Sequence, residues 1–495
     1  MVIDMVLSSE LVRSYFDDIH PDFPVLHEAT FRATYETWSR APSWTDRVWL
    51  CTLLCVFMLS SRTTTANVSE SQERAWWRQI QELLPSVLFS SNVAAIQALV
   101  LAALHLHNTN HRDACWNLTG SAVRIAHGIG LHCDDVKSQQ SPLTRELRKS
   151  LWWTLFAFEQ LQISSYDRPS AIDQEQCSVG SPDERIVGMG SYYPPDLVKC
   201  QNRLTVLLYA ACRARKLNGT GSVEDGSFGP LSPAASAHRE LQRWKESLPS
   251  HLKLEAVEVS PPCYHRPILL LHAKYHYAAI VLTRSALLHR ATALTQTQSL
   301  PSGKAVLATS EACRDSGRSL SHVMKCLHAH GKFNALTWFD MFYSITAALC
   351  LVLDIVCSVK QRVECVEPMQ LLEGLSELAG FQMQHPKMPG TLRKWASLIT
   401  ELASMVRKYA TSSRAQQHGV RTEAERSQEG LVLEDARLLM DLRQSQVRTE
   451  APLASTQQFT APSPDQWAQF ATGFDGSATN LQEWHWGDIE AMLNG

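Results

Sequence analysis

Apolar residues recur at every third or fourth position in one stretch of this chain after another, and this spacing predicts helices that bury one face. The clearest stretch follows the pair Ser141 and Pro142, and serine before proline is typical of a helix N-terminus. Its apolar positions are Leu147, Leu151, Leu155 and Phe158. No stretch alternates apolar and polar residues between hairpin turns. The sequence therefore predicts an all-α fold.

Size and charge restrict the organisation and the function. The chain has 495 residues, of which 45% are hydrophobic and 19% are charged. This composition is that of a globular protein, and the length predicts one large or two fused helical lobes. The formal net charge of −3 gives no general attraction to a polyanion, so the chain as written is predicted to bind DNA poorly on its own.

Thirteen cysteines are scattered along the chain, and the N-terminal residues lack the basic and apolar regions of a secretion signal. We therefore expect reduced thiols, in cytosol or nucleus. The two longest apolar runs, residues 93–104 and 345–356, are shorter than the roughly 18 to 20 residues that cross a bilayer. They are predicted to be buried core helices, and no membrane contact is expected.

Prolines and glycines mark the ends of several predicted helices. Pro21 and Pro24 end a first helix near His20, and a second helix restarts around His27 after a short extended elbow. Another helix is predicted to run from Pro267. A Gly-, Ser- and Pro-rich stretch at about 218–236 is interpreted as a flexible insertion between two helical halves. A lobe boundary is expected there.

The C-terminal part of the chain differs from the rest in composition. Residues 411–460 are rich in polar residues and are predicted to be a disordered linker. Residues 461–495 alternate acidic and aromatic residues and contain no lysine or arginine, which is typical of a segment that activates transcription by folding onto a partner. The alternative is a final helix that docks on the body. The side chains predicted to carry activation are Trp467, Phe470, Phe474, Trp484, Trp486 and Leu493.

Several segments in a fixed order carry a family resemblance. They are SYFDDIHPDFPVLHEATF at 14–31, ACWNLTGSAVRIAHGIGLHCD at 114–134, ELRKSLWWTLFAFEQLQISSYDRPSAI at 146–172 and LLLHAKYHYAAIVLTR at 269–284. Together they resemble the fungal-specific transcription factor domain, the middle homology region of zinc binuclear cluster transcription factors. The resemblance assigns that domain to about 8–410. Cys133 and Asp167 depart from the family's usual Arg and Gly, which bears on local geometry more than on function.

The resemblance implies a regulatory body without enzymatic activity or cofactor, which controls metabolic or secondary-metabolite genes. Expected partners are the transcription machinery or a DNA-bound zinc-cluster protein, with a small-molecule inducer as a further candidate. Expected localisation is the nucleus, and shuttling with the cytoplasm is left open. The acidic tail favours an activator.

The zinc cluster of that family needs six closely spaced cysteines, whereas the first cysteines here are Cys51 and Cys55 on an apolar stretch, and no C-x-x-C occurs. Two alternatives remain open. The chain is recruited through a partner, as a regulator or as a non-DNA-binding adaptor or ligand receptor that modulates a full-length zinc-cluster factor. Otherwise an upstream exon supplies the module, and DNA is bound directly.

Chemistry-bearing residues give few signals. His107, His111 and Cys115 are spaced so that one continuous helix would align them as zinc ligands, but the nearby asparagines favour a helix break, so no metal is expected. No nucleophile elbow, phosphate loop or dinucleotide motif is present, so no catalytic residue is predicted. Trp152 and Trp153 point about 100° apart on a helix, so at most one lines a given cavity, and both are expected to anchor packing.

Overall fold

The structure is a computed structural model. It describes residues 5–417 except 41–45, 65, 135–139, 167, 219–228, 230, 297–299, 302 and 335. Fifteen α-helices occur in these residues, and no strand does, so the predicted all-α fold is confirmed. In chain order they are α1 Met5–Ser14, α2 Glu28–Arg40, α3 Arg47–Ser60, α4 Glu70–Leu88, α5 Val93–Asn108, α6 Arg112–Gly128, α7 Pro142–Tyr166, α8 Glu184–Val187, α9 Leu197–Asn218, α10 Pro233–Glu246, α11 Pro262–Gln296, α12 Lys304–Ala329, α13 Trp338–Lys360, α14 Val366–Met383 and α15 Gly390–Gln417.

Local signals fix several helix ends as predicted. The Ser141 hydroxyl accepts the backbone N–H of Thr144 at 3.2 Å and caps α7, which begins at Pro142. A π-helical turn, Tyr15–Ile19, ends the first helical segment, and α2 begins at Glu28, so the predicted elbow is confirmed. α11 begins at Pro262 rather than at Pro267, because a proline opening a helix loses only an N–H that has no helical partner.

The buried apolar side chains form two cores. The first is built from α1 to α7 together with Ile172 and Val179, which follow α7. The second is built from the end of α7, from α8 to α15 and from the segments between them. One helix belongs to both, because Phe156 and Phe158 of α7 are buried in the first core and Leu161 and Ile163 in the second. α7 therefore joins the two cores.

The two cores do not divide at the 218–236 insertion, and the lobe boundary expected there is wrong. Leu204 of α9 and Trp244 of α10 lie on either side of that stretch, yet both are buried in the second core. The Trp244 indole N–H also donates to the carbonyl of Cys200 at 3.2 Å. Gly, Ser and Pro indicate where a helix ends, but they carry no information on which core its neighbours join.

The two predicted apolar helices, α5 and α13, are core helices. Among the described residues α13 is the one helix long and apolar enough to cross a membrane, and 94% of its most apolar window is buried inside the protein. Lipid contact is not needed to explain its composition, because the protein itself covers it.

Candidate functional site

A cavity of about 120 Å³ lies where the two cores meet. Its walls are the elbow at residues 21–24 and parts of α7, α9, α11 and α13. Apolar side chains from both cores line it: Trp153 and Phe158 belong to the first core, and Leu204 and Tyr277 belong to the second. A concave, mostly apolar cavity with a few polar groups is the usual form of a small-molecule site.

The two adjacent tryptophans on α7 face different surroundings, as the helix geometry predicts. Trp153 lines the cavity, and its indole N–H donates to the carbonyl of Gly180 at 2.9 Å. Trp152 is fully buried in the first core and does not line the cavity. The expectation that at most one of the two rings faces a given cavity is confirmed.

The elbow closes one side of the cavity and is held by side chains from other elements. Its carbonyls have turned away from any helix, so they need donors from elsewhere. The Tyr193 hydroxyl donates to the carbonyl of Pro21 at 2.5 Å, and the Thr154 hydroxyl donates to that of Pro24 at 3.2 Å. The elbow is therefore fixed to α7 and to the segment before α9.

A buried ion cluster extends from the elbow to α11 and α13. Arg266 donates from Nη2 to Asp22 at 2.5 Å and from Nη1 to Asp340 at 2.7 Å. Its Nη1 also donates to the carbonyl of Lys332 at 2.6 Å. Burial alone would lower the pKa of Arg266, but the two carboxylates raise it above its ordinary value, so the guanidinium stays charged.

Asp340 shows that burial of this cluster disfavours the charged form of its acidic groups. Its side chain is fully buried, and burial raises its pKa, while Arg266 and the backbone N–H of Asn334 oppose that rise. Arg266 of α11, itself paired with Asp340 of α13, thus holds Asp22 and the elbow beside the cavity.

Lys274 of α11 lines the same cavity but, unlike Arg266, is not part of the ion cluster. Its ammonium makes no hydrogen bond or ion pair with any residue that the structure describes. Burial lowers its pKa, and Asp22 opposes that shift only in part. The Tyr343 hydroxyl, also on the cavity wall, likewise has no hydrogen-bond partner within the described ranges. The cavity therefore presents unused polar groups on an apolar surface.

The metal candidates from the sequence do not share a helix. α5 ends at Asn108, the backbone of Asn110 has a φ of 64°, and His111 is the residue that precedes α6. His107 therefore lies on α5 and Cys115 on α6. Within the described part of the chain no group of three or more His, Cys, Asp or Glu side chains is placed to hold a metal ion.

His107 packs as a core residue. Its ring centroid lies 4.3 Å from that of Trp338, and burial lowers its pKa to about 3. The neighbouring Asn108 accepts the backbone N–H of Trp338 at 3.2 Å. His111 contacts the Thr109 hydroxyl at 2.9 Å through Nδ1. These residues tie α5 to α13 and complete a turn.

The other residues singled out by the sequence lie in two groups. Cys133 is exposed, and Asp167 is outside the described residues. The whole predicted activation set also lies outside the described residues, so it remains a prediction: Trp467, Phe470, Phe474, Trp484, Trp486 and Leu493.

Reasoning from the sequence did not single out Asp22, Arg266 or Lys274. A signal was present for Lys274, because it is the one ionisable-amine side chain in the apolar stretch LLLHAKYHYAAIVL. Asp22 lies between the two prolines of the elbow, where a charged residue is ordinary. Its partner could not be found, since nothing local indicates which arginine reaches it.

Comparison with known proteins gives a family match for the part of the chain that contains the elbow and α7. Residues 12–189 match the family model described as the fungal specific transcription factor domain. The chain is 24% identical to an uncharacterised transcriptional regulatory protein of Schizosaccharomyces pombe, over 71% of this chain and 44% of that protein. It is 24% identical to transcription factor FBD3 of Gibberella moniliformis, over 69% of this chain and 49% of that protein.

Two further likenesses agree. An acetamidase regulatory protein of Aspergillus oryzae is 26% identical over 56% of this chain and 35% of its own length. The chain thus spans less than half the length of these relatives. The solved structure of the K. lactis CBF3 core shares the fold, with a TM-score of 0.51 at 11% identity over 88% of this chain and 89% of that chain. Residues 12–189 of this chain therefore match the fungal specific transcription factor domain, and the chain is similar to fungal transcription regulators.

Proposed function

We propose that this chain regulates the transcription of metabolic genes and that its helical body receives the controlling signal. The observation that carries the proposal is the family match at residues 12–189, which includes the elbow and α7. The relatives with similarity beyond that match are named as transcriptional regulators. The proposal extends that role to this chain, together with residence in the nucleus and the absence of enzymatic activity.

The cavity supports a receiving role. It lies between two cores that share α7, so a ligand there contacts helices of both. A molecule that binds one arrangement of the cores better than another shifts the population toward that arrangement. A ligand in the cavity would therefore affect the helices around both cores.

Recruitment to promoters through a DNA-bound zinc-cluster partner is the second part of the proposal. The formal net charge of −3 supports it, because the residues present give no general attraction to DNA phosphates. A zinc cluster encoded upstream would replace this route by direct DNA binding. Pull-down of the tagged chain from nuclear extract, with and without nuclease, separates protein-mediated from DNA-mediated association.

Activation is assigned to residues 461–495, which would contact the transcription machinery. Fusing this segment to an unrelated DNA-binding domain should activate a reporter. Changing Trp484 and Trp486 to Ala in the same fusion should abolish that activation, since the rings would supply the apolar contact. A fusion that leaves the reporter silent contradicts the assignment.

Chromatin occupancy of the epitope-tagged chain in its native host tests the proposed function as a whole. Focal enrichment at promoters over an untagged strain is the expected result. A uniform background in the nucleus would contradict recruitment of this chain to genes.

A further inference from the structure

The cavity at the junction of the two cores has a polar group that the protein leaves unused. Lys274 lies on its wall among aromatic and aliphatic side chains, and its three N–H donors find no acceptor in the described residues. The Lys274 side chain is half-buried, so its ammonium gives up part of its hydration without gaining an acceptor from the described residues. This is the feature that points to a ligand.

The charge of Asp22 opposes the lowering of the Lys274 pKa, but Asp22 already accepts hydrogen bonds from another residue. Both of its carboxylate oxygens accept from Arg266: Nε lies 2.8 Å from Oδ1, and Nη2 lies 2.5 Å from Oδ2. Asp340 is held by the same guanidinium and by the N–H of Asn334. Asp22 therefore acts on the charge of Lys274 from a distance without taking its hydrogen bonds.

The charges at this site are thus balanced, whereas the hydrogen-bonding capacity of Lys274 is not satisfied. The formal charges of Lys274 and Arg266 cancel those of Asp22 and Asp340, so no further anion is needed for balance. An added carboxylate would face two buried carboxylates in a medium of low dielectric. An uncharged oxygen acceptor would satisfy the ammonium without disturbing the balance.

Size sets the other limit on the ligand. A cavity of about 120 Å³ is close to the roughly 150 Å³ of an engineered apolar cavity that binds benzene. The walls include Trp153, Phe158 and Tyr277, which suit a ring or a compact hydrocarbon body. A nucleotide, a sugar phosphate or a long acyl chain is too large or too polar for this space.

We propose that this cavity binds a small uncharged carbonyl compound, with a ring-sized apolar body against Trp153 and Tyr277 and its oxygen accepting a hydrogen bond from Lys274. The regulatory meaning of such a ligand rests on the proposed function, whereas the binding itself does not. The Tyr343 hydroxyl on the same wall is available as a second donor.

Three small probes and the purified full chain test this assignment by calorimetry and ligand-observed NMR. Cyclopentanone has the carbonyl oxygen, methylenecyclopentane replaces that oxygen by a CH₂ group, and cyclopentanecarboxylate carries a charge. Cyclopentanone should bind about tenfold more tightly than methylenecyclopentane, which is the usual worth of a hydrogen bond to a charged group. The carboxylate should bind more weakly than the ketone.

Variants locate the contact. Lys274→Met should bind both uncharged probes equally, because the apolar body still fits while the donor is gone. Lys253→Met is the matched control on the exposed surface and should retain the preference for the ketone. Ala157→Met places a flexible side chain on the cavity wall and should weaken both probes while Lys274 is intact. If Lys274→Met does not fold, Ala157→Met still shows whether the probes bind in this cavity.

The proposal is overturned if neither uncharged probe binds the folded wild-type chain, or if Lys274→Met keeps the preference for the ketone. Tighter binding of the carboxylate would overturn the uncharged class. Because these measurements use purified protein, their failure leaves promoter occupancy untouched. Conversely, an absence of occupancy with intact ketone binding would reject the proposed function and keep the cavity assignment.

Discussion

Arg266 donates to Asp22 across 244 positions of sequence, with Nη2 2.5 Å from a carboxylate oxygen. The arginine lies on α11 of the second core, and the aspartate lies in the elbow that follows the first helical segment. The contact fixes the elbow to the far half of the molecule, beside the cavity. Its loss should therefore affect both stability and the closure of the cavity.

Asp22→Asn should lower the free energy of unfolding by about 3 kcal/mol, because removing one charge of a buried pair leaves the other without full compensation. Asp340 still contacts Arg266, so the loss belongs at the low end for buried pairs. Urea denaturation measures it. Asp17→Asn, on the exposed surface of the same segment, is the control and should change the midpoint little. Equal effects of the two variants would contradict the role of the ion cluster.

Glu159 should make the protein less stable as pH rises from about 5 to about 7. Its carboxyl is buried in α7, and burial raises its pKa to about 7, although the backbone N–H groups of Ala171 and Ile172 and the side chains of Ser170 and Gln160 oppose the rise. Over this range Glu159 holds more protons in the folded state than in the unfolded state, so the contribution of this residue to stability falls with pH.

The size of that pH effect should be a few kcal/mol at most. Glu159→Gln cannot titrate, so its melting temperature should change between pH 5 and pH 7 in a more positive direction than that of the wild type, in which the buried histidines titrate as well. Glu36→Gln, which removes an exposed carboxyl on α2, should leave the pH profile unchanged. A wild-type profile that Glu159→Gln does not alter would show that Glu159 titrates in its ordinary range.

Gly317 and Gly380 should respond in opposite directions to alanine, although both lie inside helices. A Cβ on Gly317 of α12 would lie 2.4 Å from the Cβ of Cys350 on α13, so the helices would have to move apart. Gly317→Ala should therefore cost about 2 kcal/mol. A Cβ on Gly380 meets nothing within 4 Å, so Gly380→Ala should gain about 1 kcal/mol of helix propensity. Thermal unfolding of both variants checks the sign of each.

Purified protein should contain no stoichiometric zinc by elemental analysis. His111→Ala should lower the free energy of unfolding by about 1 kcal/mol or less, because it removes one half-exposed contact with Thr109. One zinc per chain that disappears in His111→Ala would contradict this expectation and would make His107 and Cys115 its remaining ligands.

Local features of the fold were predictable because their causes lie within a few residues. The Ser141–Pro142 start of α7, the elbow at Pro21 and Pro24, and the burial of α13 all follow from caps, prolines and apolar runs. The start of α11 is not predictable in this way, since Pro267 in the second turn of the helix resembles a proline in the first turn.

The cavity and the division into cores were not predictable from the same signals. Both depend on which distant side chains meet, as Arg266 meets Asp22, and periodicity describes only the face that one helix buries. Lys274 could have been noticed as a lone cation in an apolar stretch, but only the assembled walls show that it faces a cavity.

The shared helix α7 separates the limit of sequence similarity from the limit of independent folding. The family match ends at residue 189, yet Leu161 and Ile163 pack among side chains that come mostly after that point. The Tyr277 hydroxyl also donates to Ser164 at 2.9 Å. A fragment excised at residues 12–189 would expose the last turns of α7 to solvent and should aggregate. Deletion studies that aim for an intact body should therefore cut after α15.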